Sequence, residues 1–399
     1  MVTIGLIREG KIPADNRVAL TPSQCRWLIK NNICNVVVEP SATRCFTDAE
    51  YTASGAQVTS NLEDCNLLLG IKEVPVQQLL PNKHYLFFSH TRKQQPYNQA
   101  LMQAMVDKNI TLTDYECLTH DDGQRIIGFG FFAGIVGAHN GMMCYGKRTN
   151  SFELERVHKV KDYRALIHTY FGLKLPPVKI AVTGSGRVAH GIIEIMNLMD
   201  VQEIEPDEYL QKQFAYPVYV HLKGSNLYRH KIFDKYIRDD FHANPSEYRC
   251  LFPQYLAETD ILMNGIYWDK DVPRLFELTD LEQTQERIQT IADITDDAHG
   301  SVPINLGDAT IEQPVYGVDR VNFARTEPYL QSSIDVMAVG NLPNELPRDA
   351  SKFFGAQLIK YVLNDLLNGG SAITQRATIL QQGKLTPPYA YLSDYAGLA

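Results

Sequence analysis

The chain has 399 residues, 44% of them hydrophobic and 21% charged, with a formal net charge of -8. That length predicts two domains rather than one, and the acidic balance argues against a nucleic-acid or anionic-membrane partner. Seven cysteines, odd in number and without a C-x-x-C pair, read as reduced thiols rather than a disulfide frame or a zinc site, so the expected compartment is the cytoplasm.

The chain opens on Thr3–Ile7, an apolar strand pattern with an arginine behind it. This is not the basic region and long apolar core of a secretory signal. Further strands are expected at Asn35–Val38, Asn66–Ile71, His84–Ser89 and Ile110–Tyr115. Helices between them start at recognisable caps: Thr21 with Pro22 behind it, Thr47 before Asp48, and Pro96 before the run from Gln99. Strands joined by helical crossovers predict a mostly parallel sheet with helices on both faces. The longest apolar run, Phe129 to Ala138, is glycine-rich and too short to span a membrane.

A polar stretch beginning at Tyr145 predicts a domain boundary near residue 150. The second unit then starts at Val178, with further strands at Ile261–Ile266 and Thr290–Ile294. Its first strand runs into Gly184-Ser185-Gly186-Arg187-Val188-Ala189 and a helical pattern to Met199, the opening of a dinucleotide-binding βαβ unit. Gly184 makes the tight turn, Gly186 lets backbone approach a pyrophosphate, and Ala189 takes the close-packing place of a third glycine. The helix N-terminus presents unpaired N–H groups to the phosphates. Glu205, ending an expected second strand at Val201–Glu205, is the acid placed to grip a ribose diol. The bland alternative is an ordinary strand–turn–helix corner.

An aromatic and charged stretch between Asp207 and Tyr255 reads as an insertion. After Leu342 a proline-bounded loop leads into a long amphipathic helix, expected to return to the first domain. The sequence thus predicts two Rossmann-like doubly wound α/β domains with a cleft between them. Residues 1–150 with 325–399 form the substrate and catalytic domain; 151–324 form the NAD(P)-binding domain with an insertion at 207–255.

Catalytic groups in open parallel sheets lie beyond the carboxyl ends of strands. Lys72 and Glu73 follow one such end and His90 another, giving a lysine and a histidine able to move protons. Taken singly, each also reads as an ordinary surface or core residue. Arg17 follows the first strand and suits a bidentate grip on a carboxylate. Glu116 ends a fifth strand and suits a substrate ammonium, or is simply an edge acid. In the second domain, Asn264, Ile266, Asp293 and Asp297 close strands expected to reach a nicotinamide.

These residues bring out a resemblance. Phe87-Phe-Ser-His-Thr-Arg-Lys93, Gly128-Phe-Gly-Phe-Phe-Ala-Gly134, Thr183-Gly-Ser-Gly186, Asn264-Gly-Ile-Tyr-Trp268 and the segment Leu342 to Ser351 are similar to the lysine–2-oxoglutarate reductase half of bifunctional lysine-degrading enzymes and to saccharopine dehydrogenases. Asn16 to Pro22 resembles the alanine dehydrogenase opening. The resemblance implies that Lys72 and His90 are acid–base residues, that Arg17 holds a substrate carboxylate, and that Lys93, Glu116 and Arg125 lie around the substrate. Two segments depart from the family pattern: Val339-Gly340, where the saccharopine enzymes carry Ile-Asp, and Asp293 to Gly300, with Asp296 and His299 in place of smaller residues.

The expected function is therefore that of an NAD(P)-dependent oxidoreductase acting on a C–N bond, interconverting saccharopine with lysine and 2-oxoglutarate. Its partners are then a small amino acid and a 2-oxo acid. Two other readings stand beside it: reductive amination of a small 2-oxo acid, and a dinucleotide-binding protein without turnover. Glu205 favours NAD, whereas the reductases resembled use NADPH and Arg187 offers a phosphate partner, so the sequence leaves the cofactor at NAD(P)H.

Overall fold

The computed structural model describes residues 1–283, 287–307 and 309–398. The chain divides into two compact units, one made of residues 1–129 with 347 onward and one of residues 130–346.

The first unit carries an eight-stranded sheet. Strands β1 (Thr3–Leu6), β2 (Asn35–Val38), β3 (Gln57–Val58), β4 (Leu67–Leu69), β5 (His84–Phe87) and β6 (Thr111–Asp114) run parallel. Their spatial order from one edge is β3, β2, β1, β4, β5, β6, the doubly wound order that leaves strand ends diverging on either side of β1 and β4. The helices Pro22–Lys30 and Asp48–Ala53 each begin in a capping box, at Thr21 with Gln24 and at Thr47 with Glu50. From the C-terminal stretch, Phe354, Leu358, Val362 and Leu363 join the core of this unit with Ile4, Leu68 and Leu86.

The second unit carries its own eight-stranded sheet. Here β7 is Lys179–Thr183, β8 Gln202–Glu203 and β9 Val218–Leu222. A separate hairpin pairs β10 (Tyr228–His230) with β11 (Tyr248–Cys250). The main sheet continues with β12 (Ile261–Asn264), β13 (Thr290–Asp293), β14 (Val315–Asp319), β15 (Arg325–Thr326) and β16 (Ser333–Met337). Its order is β15, β14, β16, β13, β12, β7, β9, β8.

Three sequence expectations differ from this arrangement. The first boundary falls at Gly130 rather than residue 150, because the helix Gly130–Thr149 packs on the helix Arg187–Leu198 through facing glycines. A Cβ on Gly134 would lie 2.0 Å from the Val188 carbonyl oxygen, and one on Gly191 2.0 Å from that of Phe131. The second boundary falls at Pro347 rather than 325, because β14 and β15 complete the second sheet through β16. Finally, the stretch 207–255 is only partly an insertion. Its Val218–Leu222 segment is almost wholly buried and takes the place beside β7, while the two exposed residues of β8 are left at the edge. Among the described residues no helix is long and apolar enough to cross a membrane.

Candidate active site

In the first unit the chemistry-bearing residues gather beyond the carboxyl ends of β1, β4, β5 and β6. Three buried leucines fix β4 between its neighbours, and the chain then turns out at Lys72. That exit is clamped by Glu9, whose carboxylate accepts the backbone N–H groups of Ile71 (2.6 Å) and Lys72 (2.9 Å). Burial pushes the Glu9 carboxyl up to about 8, and the two N–H groups offset part of that rise.

Glu73 is the hub of the cluster. It accepts Lys11 Nζ at 2.9 and 2.8 Å, pairs with His90 Nδ1 at 2.7 Å and receives Asn98 Nδ2 at 3.3 Å. Burial alone would raise its pKa, but the hydrogen bonds from His90 and Lys11 outweigh it and hold the carboxyl well below the usual range. Glu73 is therefore ionised at any working pH and draws the proton of the neutral imidazole to Nδ1, which leaves Nε2 as the basic atom. His90 itself sits at φ 51°, a left-handed conformation that a non-glycine residue holds only when its surroundings impose it. Lys72 has its pKa lowered, first by burial and then by the Arg17 guanidinium, with Asp15 and Glu73 opposing. A lysine so placed releases its proton more readily than one in water.

Arg17 is buried, but its fork is already engaged. Nε and Nη2 meet the two oxygens of Asp15 at 2.9 and 2.5 Å, and the guanidinium lies 4.2 Å from the Phe129 ring centroid. The expected bidentate grip on a substrate carboxylate is thus spent inside the protein. Glu116 and Arg125 pair with each other at 2.8 Å, and Lys93 stands exposed on the loop after His90. Lys11, Glu9, Asp15 and Asn98 were missed in the sequence. The available signal for the first three was their place in the loop after β1, at the same carboxyl edge.

The second unit supplies the dinucleotide-binding corner. Gly184 has φ 106°, and a Cβ there would lie 2.4 Å from the Gly265 carbonyl oxygen, so only glycine fits the turn. Gly186 opens the helix Arg187–Leu198 without a side-chain cap, and a Cβ on it would meet no protein atom within 4 Å. Ser185 and Gly186 are exposed and Arg187 and Val188 half-buried, so backbone N–H groups and open space coincide where a pyrophosphate would be cradled. The corner fits a dinucleotide.

Three of the expected cofactor contacts are placed differently. Glu205 does not end a strand beside β7; it heads the short helix Pro206–Gln211 beyond the edge strand β8. Asn264 and Asp293 are fully buried and satisfied internally. Asn264 Nδ2 donates to Asp293 (2.8 Å) and Ser301 (2.9 Å), its Oδ1 accepts Thr183 (2.8 Å), and Asn305 donates to Asp293 at 2.8 Å. These residues lock the strand ends together. Ile266 is buried nearby, and Asp297 is exposed.

Asp296 adds a second acid beside Asp293 in a left-handed turn (φ 56°), and a Cβ on Gly340 would lie 3.0 Å from its carboxylate. Burial, then the neighbouring acids, push Asp296 up to about 7; burial pushes Asp293 up to about 6 against its hydrogen bonds. Both folded values exceed the unfolded one, so their stabilisation is complete below about pH 4 and is lost as pH rises through 6 and 7. Each contributes a slope on the order of 1 kcal/mol per pH unit in that window. Asp296→Asn, which keeps the turn conformation, is expected to raise Tm by several degrees at pH 8 and to leave it unchanged at pH 4. Calorimetric scans at the two pH values check this, and equal shifts at both would refute it.

Two Rossmann-like units, the second with a dinucleotide-binding glycine corner, give the architecture of the nicotinamide-dependent dehydrogenases. Residues 5–136 match the alanine dehydrogenase/PNT N-terminal domain. The chain is 28% identical to alpha-aminoadipic semialdehyde synthase of Arabidopsis thaliana over 98% of its own length and 41% of that protein's. It is 26% identical to a saccharopine dehydrogenase (NAD(+), L-lysine-forming) of Candida glabrata over 90% of both chains. It superposes on an L-alanine dehydrogenase structure with a TM-score of 0.68 at 18% identity, covering all of both chains. The chain belongs to the superfamily of the alanine and saccharopine dehydrogenases, and spans less than half the length of the semialdehyde synthases it matches.

Proposed function

We propose that the protein is an NAD(P)H-dependent oxidoreductase that joins the ε-amine of lysine to 2-oxoglutarate, forming saccharopine, or runs the reverse reaction. The observation that carries this reading is the cluster at the carboxyl edge of the first sheet: a buried lysine of lowered pKa beside a histidine oriented by an ionised carboxylate. The neighbouring saccharopine enzymes support it at the level of sequence.

In the reductive direction the amine must lose a proton before it attacks the keto carbon. Lys72 takes that proton. The carbinolamine hydroxyl leaves as water once protonated, and His90 Nε2 is the atom able to carry that proton while Glu73 holds the ring. Each transfer of this kind is worth about 10²–10⁴-fold in rate. The dinucleotide supplies hydride to the imine carbon. Lys11, Arg92, Lys93 and Arg125 arise from the loops beyond β1, β5 and β6, and a product with three carboxylates suits so cationic a rim better than pyruvate does.

Gly340 and the likeness to alanine dehydrogenase favour a second reading, amination of a small 2-oxo acid by ammonia. Steady-state assays with lysine plus 2-oxoglutarate, and with ammonia plus pyruvate, separate the two. The proposed function requires turnover with the first pair at least about 100-fold above the second. The opposite ratio would transfer the protein to the amino-acid dehydrogenases.

A further inference from the structure

We infer that the second unit selects a dinucleotide carrying a 2′-phosphate, NADP(H), and that Lys223 is the residue that reads it. This rests on the dinucleotide-binding role of the Gly184 corner.

In an open doubly wound sheet the adenosine ribose lies beyond the carboxyl end of the strand next to the glycine-loop strand, and an acid there grips the 2′-hydroxyl of NAD. The strand in that position is β9, not β8. Thr183 of β7 pairs with Leu222 of β9, and the Gly184 N–H bonds the Leu222 carbonyl at 3.1 Å. The residue that follows β9, beside the glycine turn, is therefore Lys223. No carboxylate occupies the stretch His221-Leu-Lys-Gly-Ser-Asn226.

The nearby acids are placed elsewhere. Glu203 lies one strand further out and accepts the Tyr219 hydroxyl at 3.0 Å. Glu205 heads the helix beyond it.

The local charge around the turn is positive. Lys223 is exposed, Arg187 opens the helix after the glycines, and Lys223 and His190 both act electrostatically on His221. His221 is spent on structure: Nε2 donates to the Gly184 carbonyl at 2.7 Å, and burial lowers its pKa, so the ring stays neutral and pins the turn. After Lys223 the chain makes a tight turn over Gly224–Asn226, with Ser225 and Asn226 exposed. A lysine followed by exposed hydroxyl and amide groups suits a phosphate monoester, whose oxygens take charge-assisted hydrogen bonds. A ribose diol gains nothing comparable from an ammonium.

The test is isothermal titration of the whole chain with NADPH, NADH, adenosine 2′,5′-bisphosphate and 5′-AMP, in wild type, Lys223→Ala and Lys223→Glu. The 2′-phosphorylated member of each pair is expected to bind wild type at least about 10-fold more tightly, in line with one charge-assisted hydrogen bond. Lys223→Ala should remove most of that preference without weakening NADH, and Lys223→Glu should reverse it. Thermal melting of each variant confirms folding, which an exposed side chain should not disturb. Equal or tighter binding of NADH by wild type, or an unchanged ratio in Lys223→Ala, overturns the assignment while leaving the dinucleotide corner intact. Absence of binding by all four nucleotides would overturn both together.

Discussion

Lys72→Met is expected to lower turnover by about 10²–10⁴-fold while leaving dinucleotide affinity within about twofold of wild type. The lysine sits in the first unit, at a strand exit held by Glu9, and no described hydrogen bond of the dinucleotide corner involves it. Its pKa is lowered by burial and by Arg17, so the neutral amine is reached at a lower pH than for a lysine in water. Methionine matches its length and removes only the proton acceptor. His90→Gln should cost a similar factor, because Gln retains a donor toward Glu73 but offers no basic atom in place of Nε2. Stopped-flow and steady-state rates, beside nucleotide titrations of the same preparations, measure both. Wild-type turnover in Lys72→Met would remove the lysine from the mechanism.

Gly186→Val is expected to weaken dinucleotide binding by at least about 100-fold and to leave Tm within about 2 °C of wild type. The backbone there is extended, and a Cβ would meet no protein atom within 4 Å, so valine is tolerated by the protein itself. The space it fills is that in which a pyrophosphate would approach the uncapped helix N-terminus. Gly184→Val is the contrasting variant. It forces a β-branched residue to φ 106° and into the Gly265 carbonyl, and should unfold the second unit rather than merely empty it. Unchanged nucleotide affinity in Gly186→Val would mean that the glycine corner is structural only.

Much of the first unit could be read from the sequence because its signals are local. Thr21 and Thr47 announce their helices through capping boxes, and the apolar runs at Leu67 and Tyr85 end where Lys72 and His90 emerge. The glycine corner was legible for the same reason: strand, turn and helix are contiguous. What the sequence hid depends on partners distant along the chain. Glu205 looked like the ribose acid because the next strand along the chain was taken as the neighbour of β7. Instead Val218–Leu222, apolar on both faces, inserts between them and brings Lys223 to that place. Asn264 and Asp293 looked like cofactor ligands because they end strands. Their mutual bond, and those from Asn305 and Thr183, turn them inward. Arg17 was rightly placed at the first strand's loop, but two positions of sequence separation from Asp15 did not reveal a fully engaged salt bridge. Lys11 carried no periodic signal at all, and only the folded loop brings it to Glu73.

The decisive measurement is mass spectrometry of the product formed from lysine, 2-oxoglutarate and a reduced dinucleotide deuterated at the nicotinamide C4. The proposed reaction joins the lysine ε-nitrogen to the keto carbon, expels the keto oxygen as water and delivers deuteride to that carbon. It therefore predicts saccharopine carrying one deuterium at the glutaryl α-carbon, made by wild type and not detectably by Lys72→Met. Deuterated alanine or glutamate formed only with ammonia, and no labelled saccharopine, would contradict it.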